Sequence, residues 1–362
     1  MSYTKGKIST RQAMIIFILA SISPIIRILP TFCANIGKQA SYFAPIITII
    51  PFMLLIFVLY ELFKKSKESS LESVFTNIVG KPITKIIMIF YMLWIFSLLG
   101  FYTRMFGERF VSSVSVDSPI EFFLISILAL VFIVTRGELE HFARWTEVFI
   151  LVLLLGILAS FIFVLPEVEI CNLYPVTTNN IIPLIGAVYP IISIWSYVTF
   201  MFFLGDKISD KKNIKKYGLQ TAILLAIVNV IVIIMTIGVF GYELTKTFSL
   251  PFFSALKDIQ LFGKIDGLES IFISLWIIAD FVMISMLVYV LNKLIKEVFS
   301  IKSTKATITP IVFLTYLLSL KIAGSRFELD EFSNRIGFDL NIIFGFVIPC
   351  AMFVIGKIRK KI

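Results

Sequence analysis

Two charges stand where a chain of this kind should hold none. Arg27 lies in "SISPIIRILP" (residues 21–30), and Asp280 lies in "ISLWIIADFVMIS", both inside long apolar runs. An ionisable group in such a setting is expensive and needs a partner or a function. Three outcomes follow from the sequence. Arg27 and Asp280 pair and brace two segments; or Arg27 holds a ligand's carboxylate while Asp280 serves its amine or a proton; or Arg27 reaches the lipid headgroups and Asp280 lines a wet gap. Beside Arg27 stand Ser21, Ser23 and Pro24. Serine is a good N-cap and proline suits the first helical position. Ser21–Ser23 therefore suggests an unwound link, with a half-helix restarting at Pro24. Its positive end would suit an anionic group such as a carboxylate. Pro30 would kink that half-helix and Gly37 would stop it. Trp276, Asp280 and Met283 share one helical face.

Other chemistries lack their parts. His141 is the single histidine, so no histidine cluster or catalytic triad can be assembled. Neither a P-loop nor a dinucleotide fingerprint occurs. Cys33, Cys171 and Cys350 are far apart and odd in number, which gives no disulfide framework and suggests packing roles. No catalytic residue, metal or cofactor is expected.

The elements that carry these residues are membrane helices. Of 362 residues, 58% are hydrophobic and only 15% charged, and the charges bunch between apolar runs of about twenty. Only helices and closed barrels satisfy their backbone in lipid, and runs of this length mean helices. Ten spans are expected, at about 12–36 (interrupted), 40–62, 83–107, 119–135, 143–165, 183–204, 218–242, 268–295, 307–323 and 339–357. Lys and Arg crowd into alternate connections, from the N-terminus through the 2–3, 4–5, 6–7 and 8–9 loops to the C-terminus. That bias places both termini in the cytoplasm and explains the net charge of +10 without nucleic acid. The first span would act as a retained signal-anchor. The basic 6–7 loop suits lipid headgroups better than a partner protein. In the 7–8 loop, Pro251 would open a short amphipathic helix.

The interruption in span 1 has a counterpart five spans on. Span 6 reads "IIPLIGAVYPIISIWSYVTF", with Pro183, Gly186, Pro190, Ser193, Ser196 and Thr199. Paired breaks at that offset are what a 5+5 inverted repeat requires, and sites form between such breaks. The expected fold is an all-α integral membrane protein in one polytopic domain, residues 1–362, LeuT-like, with helices 1 and 6 broken. Its first repeat covers about 12–165 and its second about 183–323, with about 339–357 as the last helix.

Several stretches resemble one family. "RILPTFCANIGKQASYF" is similar to the first span and loop of the spore germination permeases, the B subunits of germinant receptors, within the amino acid–polyamine–organocation superfamily. "GELEHFARWTE" resembles that family's 4–5 loop through Gly137, Glu140, Arg144 and Glu147. "TRMFGE" followed by "DSPIE", "SLPFFSALKDI", and "GLESIFISLWII" with Glu269 and Trp276 resemble it in order and spacing over nearly the whole chain. Two departures stand out: Ser23-Pro24-Ile25 replaces a glycine-rich break, and Thr199 stands where many relatives carry an acid.

The resemblance implies spans 1, 3, 6 and 8 around a central pocket. It implies a nutrient sensor in the spore inner membrane that works with germinant receptor A and C subunits and triggers germination on binding a small molecule, often an amino acid. The expected ligand-binding residues are Ser21, Ser23, Pro24, Arg27, Trp195, Ser196, Thr199, Trp276, Asp280 and Met283. The alternatives are a proton-coupled amino acid transporter, with Asp280 carrying the proton, and an assembly subunit with a vestigial pocket.

Overall fold

A computed structural model describes residues 6–65, 69–113, 118–257, 268–301 and 304–362. Helix occupies each of the ten expected segments. Span 1 is α1 (Thr10–Arg27) and α2 (Leu29–Gly37). Next come α3 (Ala44–Lys64), a short α4 (Leu71–Val79), α5 (Lys81–Ser113), α6 (Ile120–Thr135) and α7 (Leu139–Val164). Span 6 is α8 (Ile181–Trp195) and α9 (Val198–Met201), followed by α10 (Ile214–Thr245). Then come α11 (Pro251–Lys257), α12 (Leu268–Phe299) and α13 (Thr304–Lys321). The last span runs through α14 (Arg326–Phe332), α15 (Phe338–Ile342) and α16 (Ile348–Ile358), joined by π-helical turns at Ser333–Gly337 and Ile343–Val347. Among the described residues, eight helical stretches are long and apolar enough to cross a membrane, and Ile120–Thr135 is a shorter apolar helix.

Burial sorts these helices into a centre and a rim. The membrane-length window of Thr10–Arg27 is 94% buried and that of Ile273–Phe299 is 72% buried, against 28% for Leu139–Glu167. α1 packs on α12, α7 and α10, and α12 packs on α5. Peripheral helices turn Ile50, Leu151, Leu155 and Ile182 outward, as a lipid-facing surface requires. Local signals set several ends. Ser9 opens α1 with a capping box completed by Gln12. α2 stops at Gly37, as expected, with Lys38 following at φ 53°. Pro251 is the first residue of α11, also as expected.

The break in span 1 is not where the sequence suggested. α1 runs unbroken through Ser21, Ser23 and Pro24. The interruption falls at Ile28 (φ −104°, ψ −27°), and Pro30 stands in the first turn of α2. Ser23 caps no restart, since it lies inside α1, and its hydroxyl donates to Asp280. Pro30 supplies no N–H to the preceding turn and disfavours helical geometry at Leu29. A second correction concerns Cys171, which is exposed between spans 5 and 6, whereas Cys33 is buried. Asp117, the LFGKID stretch of the 7–8 loop and the side chain of Glu269 lie outside the described residues.

Candidate ligand-binding site

Arg27 and Asp280 are both buried, but they do not pair with each other. Asp280 on α12 accepts from Arg109 Nη1 at 2.9 Å and from the Ser23 hydroxyl. Arg109 also lies over the Trp276 ring, 5.2 Å from its centroid. This cluster ties α5, α1 and α12 together. Arg27 reaches Asp330 of α14 instead, with Nη2 to Oδ1 at 3.4 Å. Both true partners looked like loop residues in the sequence. α5 continues to Ser113, past the expected end at 107, and carries Arg109 into the interior. The last helical segment begins at Arg326 and brings Asp330 over the break.

Span 6 breaks at Ser196–Tyr197, between α8 and α9. Here the hydroxyls serve the last span. Ser193 donates to Phe338 O at 3.2 Å and Thr199 to Gly345 O at 2.6 Å, while the Ser196 hydroxyl lies 2.7 Å from Ser193 O and 3.0 Å from Asn341 O. Wider π-helical turns interrupt the i→i−4 pattern along this stretch and free such carbonyls. A Cβ at Gly345 would collide with the Ser196 side chain, so glycine permits the approach. A polar row that carries no signal in the sequence runs through the same layer. Trp94 Nε1 donates to Asn341 Oδ1 (3.2 Å), Asn341 Nδ2 to the Tyr197 hydroxyl (2.8 Å), and that hydroxyl meets the Tyr102 hydroxyl at 2.9 Å.

The other expected residues divide by whether their polar atoms are occupied. Trp195 is buried edge-on to Phe52 at 5.4 Å, and its Nε1 finds no acceptor. The Ser21 hydroxyl and Arg27 Nη1 are likewise buried without a partner among the described residues. Trp276 packs edge-on to Phe253 at 5.3 Å, and Met283 is core. Pro24 is an interior helix residue.

Two vestibules approach this layer from opposite ends. The distal one, opposite the termini, holds about 550 Å³ and is lined by Ile28, Asn35, Lys246, Ser249, Asp330 and Arg335 among others. The proximal one, at the end carrying the termini, holds about 680 Å³ and includes Arg136, His141, Asp206, Lys207 and Lys293. At the breaks, a cavity lined by Ile28, Tyr102, Tyr197 and Asn341 has about 10 Å³, room for one water at most. Phe32 meets Phe338 edge-on at 4.8 Å beside it. The layer is shut from both sides.

The proximal end is also strapped. Gly6 N donates to Glu140 Oε2 at 2.9 Å, and Arg144 pairs with the same carboxylate. Ile8 N bonds Lys207 O at 2.8 Å, and Ser209 N bonds Ile8 O at 2.9 Å. Thr10 donates to Asp210, and Gln12 Nε2 to Glu147 at 3.3 Å. The Glu140, Arg144 and Glu147 pattern of the 4–5 loop thus anchors the N-terminal segment. Burial pushes the Asp210 carboxyl up, but hydrogen bonds from Asn213 and Thr10 outweigh it and hold the group below the usual Asp range.

Among solved structures, the chain resembles MhsT in complex with L-phenylalanine (TM-score 0.67, 14% identity, 94% of this chain and 97% of that one). It also resembles a Na+-coupled sialic acid symporter in a substrate-bound outward-open state (TM-score 0.65, 12% identity, 97% and 78%). Broken first and sixth spans and these neighbours define a multi-pass membrane protein of the LeuT-like transporter fold. A family profile described as spore germination protein matches residues 7–326, and the chain belongs to that family. Spore germination protein KB of Bacillus subtilis (strain 168) is 22% identical over 99% of this chain and 96% of its own length. The putative spore germination protein YfkT of the same organism is 21% identical over 97% and 96%.

Proposed function

We propose that this chain is the nutrient-sensing, permease-like subunit of a spore germination receptor. It binds a small molecule, an amino acid by preference, between the breaks at Ile28 and Ser196–Tyr197. The observation that carries the reading is the shut layer itself. A distal vestibule of about 550 Å³ reaches the break at Ile28, a proximal one of about 680 Å³ stops at Leu204 beyond α9, and the cavity at the breaks themselves has only about 10 Å³. A ligand must part the layer to enter, so binding selects a packing different from the empty one.

The residues divide into holders and braces. Ser21, Arg27 and Trp195 keep buried polar atoms without partners, and Tyr102, Tyr197 and Asn341 line the small cavity; these meet the ligand. Ser23, Asp280, Ser196 and Thr199 spend their polar atoms on neighbouring elements, while Pro24, Trp276 and Met283 shape the walls. Receptor A and C subunits in the spore inner membrane would read the altered packing, and the two repeats (about 12–165 and from about 183) are the bodies that move.

The test is germination of spores carrying Tyr197→Ala. Nutrient response should fall at least about tenfold in sensitivity while receptor level stays normal. An unchanged dose response overturns the site. The transporter reading has one observation in its favour, the presence of a vestibule at each end. It cannot use Asp280 as a free carboxylate, since Arg109 and Ser23 already engage it. Uptake of labelled amino acid into proteoliposomes under a pH gradient separates the two readings.

A further inference from the structure

Charge does not balance where the first, third and last spans meet. Arg27 lies within electrostatic range of Arg109, Arg326, Asp330 and Asp280. Among the described residues, that is three guanidinium groups against two carboxylates. Nearby, Arg104 pairs with Glu108 at 2.6 Å and cancels it. Each of the three guanidinium groups also keeps a buried N–H that finds no acceptor among the described residues: Arg27 Nη1, Arg109 Nε and Arg326 Nε. Arginine does not escape by losing its proton. The C-terminal dipole of α1, where Arg27 stands, offsets about half a charge and leaves those N–H groups unmet.

The geometry near Arg27 leaves room for a competitor. Its contact to Asp330 is 3.4 Å, long beside the ~2.7–2.9 Å of a good charge-assisted bond. Asp330 forms part of the distal vestibule wall and its side chain is 33% exposed, while Arg27 is 3% exposed behind it. A small anion arriving by the vestibule meets a carboxylate that can swing aside and a guanidinium that cannot leave.

We propose that Arg27, backed by Arg109 and Arg326, is an anion site that takes one small monovalent anion from the distal vestibule. The anion is either a free halide or the carboxylate group of a small ligand. The carboxylate source rests on the nutrient-site reading above; the halide source does not.

The experiment uses the purified full chain without nutrient. Its unfolding temperature is followed by tryptophan fluorescence while potassium chloride, or in a second arm potassium acetate, replaces bulky potassium methanesulfonate at constant ionic strength. The expected result is a saturable rise of about 2 °C or more, absent in Arg27→Gln. Asp330→Asn removes the competing carboxylate and should move the midpoint to about tenfold lower anion concentration. Response to chloride alone identifies a halide site; response to acetate alone identifies a carboxylate site; response to both identifies one site open to either. No rise in either arm, or a rise unchanged in Arg27→Gln, overturns the proposal. If Arg27→Gln does not fold, an unchanged or weakened titration in Asp330→Asn overturns it. Because no nutrient is present, a failure here and a failure of the germination test are separate results.

Discussion

Arg109 shows how much depends on a single guanidinium in this fold. It neutralises Asp280, lies over Trp276, and so holds α5 to α12 with both charged side chains 5% exposed. Removing one member leaves the other charge buried without its counter-charge, which costs about 3–5 kcal/mol. Arg109→Ala and Asp280→Ala should therefore each lower the unfolding temperature sharply. The double variant Arg109→Leu/Asp280→Leu should recover most of the loss, because a packed apolar pair replaces a desolvated one. Strictly additive losses would contradict the pairing. Gly345 is the steric counterpart. A methyl there meets Ser196 atoms closer than side chains tolerate, so Gly345→Ala should destabilise by about 1–3 kcal/mol, and a paired Ser196→Gly change should relieve only part of it, because the Ser196 carbonyl oxygen still lies 2.8 Å from the added Cβ.

At the scale of elements, the N-terminal strap is the feature most open to direct measurement. Its bonds to the start of α7 and to the 6–7 loop fasten the end of the bundle where the proximal vestibule opens. Asp210 contributes a pH-dependent part. Its folded carboxyl sits below the usual Asp range, so its contribution is complete above the unfolded value of ~3.9. That contribution fades as pH falls through the lower folded value. Hydrogen exchange at Ile8 and Thr10 should stay slow from pH 7 to about pH 4.5 in the native chain. In Asp210→Asn it should be faster throughout that range, and equal protection in both would contradict the assignment. The break in span 1 belongs to this scale as well. The local rule for proline applies at both Ser23-Pro24 and Leu29-Pro30, and the capping rule for serine favours the first, yet the break falls at the second. What differs is the packing: the Ser23 hydroxyl donates to Asp280, 257 positions away, from within an unbroken α1. A sequence holds both candidate breaks but not the packing around them.

For the whole molecule, what was legible in the sequence and what was not divide along the same line. Helix in each of the ten expected segments and the stop at Gly37 follow from apolar length and from Gly and Pro, which act locally; the break in span 6 does not, since α8 runs through Pro183, Gly186 and Pro190 to Trp195 and the interruption falls at Ser196–Tyr197. The charge partners do not. Arg109 and Asp330 looked like loop residues because hydropathy fades before the helices end, and only the packed bundle brings them to Asp280 and Arg27. The Trp94–Asn341–Tyr197–Tyr102 row has no sequence signal either, since each member is an ordinary residue of its own helix. These long-range pairings shut the layer between the vestibules, and the shut layer is the molecule's central property. On the function proposed above, a ligand that enters exchanges them for its own contacts, and that exchange is the change partner subunits would sense.

The most direct measurement is ligand-dependent thermal stability of the purified chain across a panel of amino acids, sugars and nucleosides, in parallel with Tyr197→Ala. At least one small nutrient should raise the unfolding temperature of the native chain saturably, by about 2 °C or more, and have no effect on Tyr197→Ala. Equal shifts in both proteins, or no shift with any member of the panel, would contradict a ligand site between the two breaks.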